Sequence, residues 1–150
     1  MKLAILILSA AVVFGLAASA GGEKKPERRA INKPGRAADL PFSDAVLVGD
    51  TLYLSGDIGL NPKTGKPPES PEEEARLVLN SLQATLAAAG MTMDDLVTVT
   101  VYSPDVSLWQ RFNGVYRGYF KKEFPARAFV GSGPLLFGAR FEVQAIAVRR

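Results

Sequence analysis

The stretch Ser70-Pro71-Glu72-Glu73-Glu74-Ala75-Arg76-Leu77-Val78-Leu79-Asn80-Ser81-Leu82-Gln83-Ala84-Thr85-Leu86-Ala87-Ala88-Ala89-Gly90, followed after five residues by Leu96-Val97-Thr98-Val99-Thr100-Val101-Tyr102, decides the fold class. Ser70 is placed to cap a helix, Pro71 suits its first position, and Glu73 three residues after Ser70 completes a capping box. Ala75, Val78, Leu79, Leu82, Leu86 and Ala89 then recur at helical spacing, one stripe aimed at a core, until Gly90 ends the helix. In Leu96 to Tyr102 the period changes to two, with Val97, Val99 and Val101 alternating with Thr98, Thr100 and Tyr102, which reads as a strand.

Working outward, Ala45 to Val48 and Leu52 to Ser55 are short apolar runs around Gly49-Asp50-Thr51, the pattern of two strands and a tight turn. Asn61 to Pro68 is dense in turn formers and reads as a surface loop. Downstream, Ser107 with Gln110 forms a second capping box, opening a helix in which Leu108, Phe112, Val115, Tyr116 and Tyr119 share a face. Arg127 to Val130 and Arg140 to Val148 read as two further strands, the second alternating Phe141, Val143, Ala145 and Ala147 with Glu142, Gln144, Ile146 and Val148. The order strand, strand, helix, strand, helix, strand, strand predicts an α+β layer with two helices on one face of a sheet. The other face would carry Thr98, Thr100, Tyr102, Ile146 and Val148, too apolar for open water, so a closed homo-oligomer is expected.

The chain has 150 residues, a length for one domain. Three segments are expected. Residues 1–20 read as a cleavable secretion signal, with Lys2, an apolar run from Leu3 to Ala17 and the small residues Ala18-Ser19-Ala20. The apolar run is short for a spanning helix and no stop-transfer segment follows, so an exported protein, periplasmic or secreted, with no stable membrane span is expected. Residues 21–40, rich in Gly, Pro and charge, read as a basic flexible arm. Residues 41–150 form the folded domain.

The formal net charge is +3, yet residues 21–36 hold six basic side chains against Glu23 and Glu27, and residues 37–150 hold 11 basic against 13 acidic. The basic character belongs to the arm, and nothing in the domain calls for nucleic acid. The chain has no Cys and no His. That removes Ser-His-Asp and Cys-His hydrolysis and the usual zinc ligands, leaving carboxylates, Arg, Lys, hydroxyls, backbone groups and water to do any chemistry.

Three constellations remain. Arg127 stands at the start of an apolar strand, where a guanidinium is unusual: it is either a planar fork for a substrate carboxylate or half of an internal ion pair, with Glu142 or Asp57 as partner. Glu142, between Phe141 and Val143, is either a carboxylate that holds or activates a water or an ordinary outward-facing strand residue. Ser55-Gly56-Asp57-Ile58-Gly59 is a strand end with a bend whose amides can line a pocket, and it lacks the spacing of a phosphate-binding loop.

The chain from about Pro41 to Arg150 resembles the Rid family, the YjgF-type reactive-intermediate deaminases. The resemblance is carried by Pro41-Phe42-Ser43-Asp44-Ala45-Val46, Leu52-Tyr53-Leu54-Ser55-Gly56, Asn61-Pro62-Lys63-Thr64-Gly65, Ala88-Ala89-Gly90, Phe112-Asn113-Gly114-Val115-Tyr116, Phe124-Pro125-Ala126-Arg127 and Glu142-Val143-Gln144-Ala145-Ile146-Ala147-Val148. It implies a chorismate-mutase-like fold of the bacillar type, a mixed sheet with two helices on one face, assembled as a homotrimer with sites in the clefts between subunits. It also implies hydrolysis of 2-imino or 2-enamino acids, of the 2-aminoacrylate or 2-iminobutanoate type, to 2-keto acids and ammonia, without metal or organic cofactor. Carried onto this chain, Arg127 takes the substrate carboxylate and Glu142 positions the water. Ser55, Gly56, Asn113 and Phe42 fall on positions lining the site. Phe42 stands where the family commonly has Tyr, Asp57 where it has Gln, and Gly133 to Gly138 is more apolar than the usual loop. The resemblance also leaves room for a trimer that binds small ligands in its clefts without turnover.

Overall fold

The computed structural model describes residues 25–121 and 123–150. The expected secretion signal lies outside them, as do the first residues of the expected arm. Among the described residues no helix is long and apolar enough to cross a membrane.

Six strands form one mixed sheet: β1 (Arg28–Ile31), β2 (Ala45–Val48), β3 (Thr51–Ile58), β4 (Leu96–Ser103), β5 (Ala126–Gly131) and β6 (Glu142–Val148), in the order β1-β2-β3-β6-β4-β5. Only β4 and β5 run parallel. Helix α1 (Pro71–Ala88) begins as its sequence predicts, with Ser70 accepting the Glu73 amide, although the reciprocal arm of the box is absent and the Ser70 hydroxyl instead donates to Glu72. It ends in a left-handed Gly90, with Met91 N–H donating to Leu86 O and Gly90 N–H to Ala87 O, an arrangement that satisfies the last carbonyls and tucks Met91 into the core. Helix α2 (Trp109–Tyr116) is shorter than the second apolar face and is entered through a 3-10 turn over Val106–Leu108. Its entry is capped by the Asp105 side chain accepting the Ser107 amide, so the cap expected from Ser107 is made two residues earlier.

Val78, Leu79, Leu82 and Leu86 of α1 and Phe112 of α2 are buried against Leu52, Leu54, Val99, Val101, Val143 and Ala145 of the sheet. At roughly 1.5–3 kcal/mol for each large apolar side chain removed from water, this single layer of contacts is what holds helices to sheet. The opposite face carries Thr98, Thr100, Tyr102, Ile146 and Val148, all partly exposed, with Tyr53 half-exposed beside them.

Two departures from expectation concern the chain ends of strands. Arg28–Ile31, inside the segment read as a flexible arm, is a strand: it pairs antiparallel with β2 and buries Ile31. A single buried side chain among charged neighbours gave the alternation no contrast, and the backbone pairing supplied by β2 does the ordering. The last strand starts at Glu142 and not Arg140, because the Arg140 and Phe141 amides donate to the Glu74 carboxylate instead of to a neighbouring strand.

Candidate functional site

Arg127 lies on β5, paired with Val99 of β4, and so projects toward the helix face. There α2 receives it. Asn113 and Tyr116, three residues apart and hence on one helical face, are both buried. Arg127 Nη2 donates to Asn113 Oδ1 at 2.5 Å, and the guanidinium carbon stands 4.4 Å from the Tyr116 ring centre and 5.9 Å from that of Phe112. Burial lowers the Arg127 pKa from its ordinary value; the adjacent Tyr116 works against that, and Arg117 adds to it. Burial likewise pushes the Tyr116 hydroxyl up to about 12, and that hydroxyl has no hydrogen-bond partner among the described residues.

The ion pairs among the described residues are Lys33–Asp57, Arg36–Asp44, Arg111–Glu72 and Arg140–Glu74. Arg127 is in none of them. Asp57, offered above as its partner, has one carboxylate oxygen taken by Lys33 Nζ at 2.7 Å and by the Ser81 hydroxyl at 2.5 Å, and the other by the Ile58 amide. The internal-pair reading of Arg127 therefore fails, and a half-buried cation is left with one neutral acceptor and two aromatic rings.

Glu142 belongs to a second assembly. It pairs with Tyr102 on one side and Ile58 on the other, which puts its side chain on the face away from the helices. Between Leu54 and Asp57 the register of β3 shifts, and this bulge presents the Gly56 backbone to the Glu142 carboxylate so closely that a Cβ at position 56 would lie 2.1 Å from its Oε1. A cavity of about 510 Å³ opens here, lined by Phe42, Ser55, Gly56, Asp57 and Glu142 and walled by residues 33–37. Ser55 is not available to a ligand as a free hydroxyl, because it donates to Ser43 O at 2.7 Å. Phe42 is half-exposed, with the Arg36 guanidinium 5.3 Å from its ring centre.

The named residues thus fall into two sets. Phe42, Ser55, Gly56 and Glu142 meet at the cavity; Asn113 and Arg127 meet at α2. With strands about 4.8 Å apart and about 3.3 Å per residue, the Cα atoms of Arg127 and Glu142 are roughly 14 Å apart, and their side chains leave opposite faces of the sheet. No small acid can touch both within one chain. The sequence reading missed Tyr116, which its spacing from Asn113 signals, and it missed Lys33 and Arg36, for which it held no signal. The apolar stretch Gly133 to Gly138 that it singled out supplies the Leu136-Phe137 rim of the cavity.

These features define an α+β domain that offers an unneutralised guanidinium on one side and a carboxylate-bearing cavity on the other. The chain belongs to the family described as Endoribonuclease L-PSP, the YjgF/Rid family, which matches residues 31–149. It is 40% identical over 114 residues to the 2-iminobutanoate/2-iminopropanoate deaminase of Bos taurus, covering 75% of this chain and 83% of that one. Its fold matches the YjgF gene product of E. coli with a TM-score of 0.75 at 34% identity, covering 81% and 99% of the two chains. E. coli TdcF with bound serine matches with a TM-score of 0.73 at 30% identity, covering 81% and 99%.

Proposed function

We propose that this protein is a hydrolytic deaminase of 2-imino and 2-enamino acids of the 2-iminobutanoate or 2-aminoacrylate type, acting without metal or organic cofactor. The observation that carries the reading is the Arg127 guanidinium: half-buried, oriented by Asn113 and Tyr116, and without a carboxylate among the described residues. Such a fork accepts a substrate carboxylate through two parallel hydrogen bonds. Because Glu142 cannot reach the same small molecule within one chain, the site is completed between subunits of a homotrimer, Arg127 of one against the cavity of the next. A closed three-fold ring buries the sheet face opposite the helices.

In the reaction, the water held by Glu142 adds through oxygen to C2 of the iminium, whose C=N electron pair moves to nitrogen. Glu142 takes a proton from that water and returns it to the nitrogen; the C–N bond breaks, ammonia leaves, and the C2 hydroxyl loses its proton as the keto C=O forms. An enamine first takes a proton at C3 to give the same iminium. The electrophile is built into the substrate, so proximity and a fixed carboxylate supply most of what is needed. The reading places residues 1–20 as a secretion signal and the protein outside the cytoplasm, where its imines come from a source other than the cytosol.

A specific observation supports a second reading, a cleft that binds small acids without turnover: Phe42 brings no hydroxyl to Glu142, and the Ser55 hydroxyl is occupied by Ser43 O. Imines generated in situ by an amino-acid oxidase separate the two. Keto-acid release faster than buffer with the native protein, and equal to buffer with Arg127→Ala, supports the deaminase; equal rates in all three support the binder. Mixing Arg127→Ala with Glu142→Gln subunits under exchange restores activity if the site is shared between copies, and leaves none if it lies within one.

A further inference from the structure

Four of the ten exposed large apolar side chains of the described residues gather around one cavity: Leu40 and Phe42 on one lip, Leu136 and Phe137 on the other, the last two 70% and 71% exposed. Phe137 holds φ at 57°, in the left-handed region that a bulky residue enters only at a cost of about 1–3 kcal/mol. The backbone there is held by turns, with Gly138 N–H donating to Leu135 O and Ala139 N–H to Leu136 O, so the ring is projected outward at the mouth. Behind the lips the wall continues as Leu54, Ile58 and Leu82.

The polar residues of the same cavity are occupied. Lys33 is shared between Asp57 and Ser81, Arg36 pairs with Asp44 and donates to Ala37 O and Leu40 O, Ser55 donates to Ser43 O, and Thr85 to Ser81 O. Glu142 alone has no hydrogen bond or ion pair among the described residues. A cavity of about 510 Å³ with one free carboxylate and an apolar wall is far larger than a methyl or ethyl group requires.

We infer that this cavity is the side-chain subsite, and that the preferred substrates are 2-imino acids with large apolar side chains, branched aliphatic or aromatic. The inference rests on the deaminase reading and adds the substrate class to it. With the carboxylate on Arg127 of the neighbouring subunit and C2 beside Glu142, the side chain lies between Phe42 and the Leu136-Phe137 lip.

The test uses imines generated in situ from 2-aminobutanoate, leucine and phenylalanine, together with calorimetric binding of the matching 2-keto acids. At about fourfold for each methylene buried, the leucine-derived imine should exceed the 2-aminobutanoate-derived one by at least about tenfold in kcat/KM. Leu136→Ala combined with Phe137→Gly should bring that ratio below about threefold. The pair is chosen because both side chains are exposed and glycine is at ease with the backbone at 137, so the fold is kept. Turnover with a flat size profile, or a preference untouched by the double variant, overturns the subsite while the deaminase stands. A double variant that changes oligomeric state in sedimentation and leaves the ratio alone assigns the lip to a subunit contact and overturns it too. Absence of turnover with every imine overturns the deaminase reading; keto-acid binding then decides the subsite, tighter for the larger acid if it holds and equal if it does not.

Discussion

Two arginines, thirteen residues apart in the chain, live in opposite electrostatic circumstances. Arg140 stands beside Glu74, whose side chain is fully buried: Arg140 Nε lies 2.8 Å from Glu74 Oε2, and its Nη2 donates to Pro68 O and Glu69 O. Glu74 in turn accepts the Arg140 and Phe141 amides, and the close approach of Gly59 to this turn of α1 leaves no room for a Cβ. Opposite charge and backbone carbonyls for Arg140 are thus supplied from within the chain, although Nε and Oε2 meet as an ion pair without hydrogen-bond geometry. Arg127 has an amide oxygen and two rings, and nothing of opposite charge. Burial of a cation without a counter-ion costs stability that a purely structural residue would not be kept for, so the contrast separates an arginine that builds the fold from one that awaits an anion.

Breaking the first region should have the largest effect. Glu74→Ala strands the Arg140 guanidinium and two backbone amides and should cost about 3–5 kcal/mol, read as a lower denaturant midpoint at unchanged slope. A loss under about 1 kcal/mol would mean that the buried carboxylate is not what organises the entry to β6. The second region should respond in activity. Arg127→Lys keeps the charge and loses the planar fork, and should lower kcat/KM by roughly 2–4 kcal/mol, tens to several hundredfold, with stability within about 1 kcal/mol of the native protein. Full activity in that variant would remove the carboxylate clamp from the proposal.

How much of this contrast was visible beforehand follows from how local each signal is. Helix α1 was legible because Ser70, Pro71 and the 75-78-79-82-86 stripe are local to the helix. β4 was legible from the alternation of Thr98 to Tyr102, although a register shift between Leu96 and Thr98 leaves Val97 exposed and not on the core face with Val99 and Val101. Arg127 and Glu142 stood out as charges among apolar neighbours. Their separation onto opposite faces was not legible, since it depends on which strands flank β4. Glu74 was hidden in a run of three glutamates, of which only this one turns inward. β1 was hidden by its own arginines, and Lys33, which neutralises Asp57 from 24 residues away, could be found only once the sheet had folded them together. The charge of Asp57, which stands where the family has Gln, is balanced by a residue from the segment read as an arm.

Tyr116 sharpens the comparison at the Arg127 end. Its hydroxyl is buried without a partner, so Tyr116→Phe should leave stability unchanged or slightly higher, by up to about 1 kcal/mol. Tyr116→Leu removes the ring beneath the guanidinium and should raise KM by roughly fivefold, the equivalent of about 1 kcal/mol of cation–π contact, with little change in kcat. Equal kinetics for the Phe and Leu variants would show that Asn113 alone orients Arg127.

The smallest effect is expected two residues from the largest. Glu72 pairs with Arg111 through two hydrogen bonds of 2.6 and 2.7 Å, but both side chains are substantially exposed, where Glu74 is sealed. Hydrogen bonding from Arg111, with the local backbone and Ser70, holds the Glu72 carboxyl down at about 2 from the usual 4.5. A carboxylate whose pKa is lower in the folded than in the unfolded chain stabilises the fold above the unfolded value and loses that contribution as the pH falls toward the folded one. The melting temperature of the native protein should therefore exceed that of Glu72→Gln by a small margin at neutral pH, and the margin should close between about pH 4.5 and about pH 2. Added salt should shrink it as well, because an exposed pair is screened and a buried one is not. A margin that ignores both pH and salt would assign the role of Glu72 to the Ser70 cap and not to Arg111.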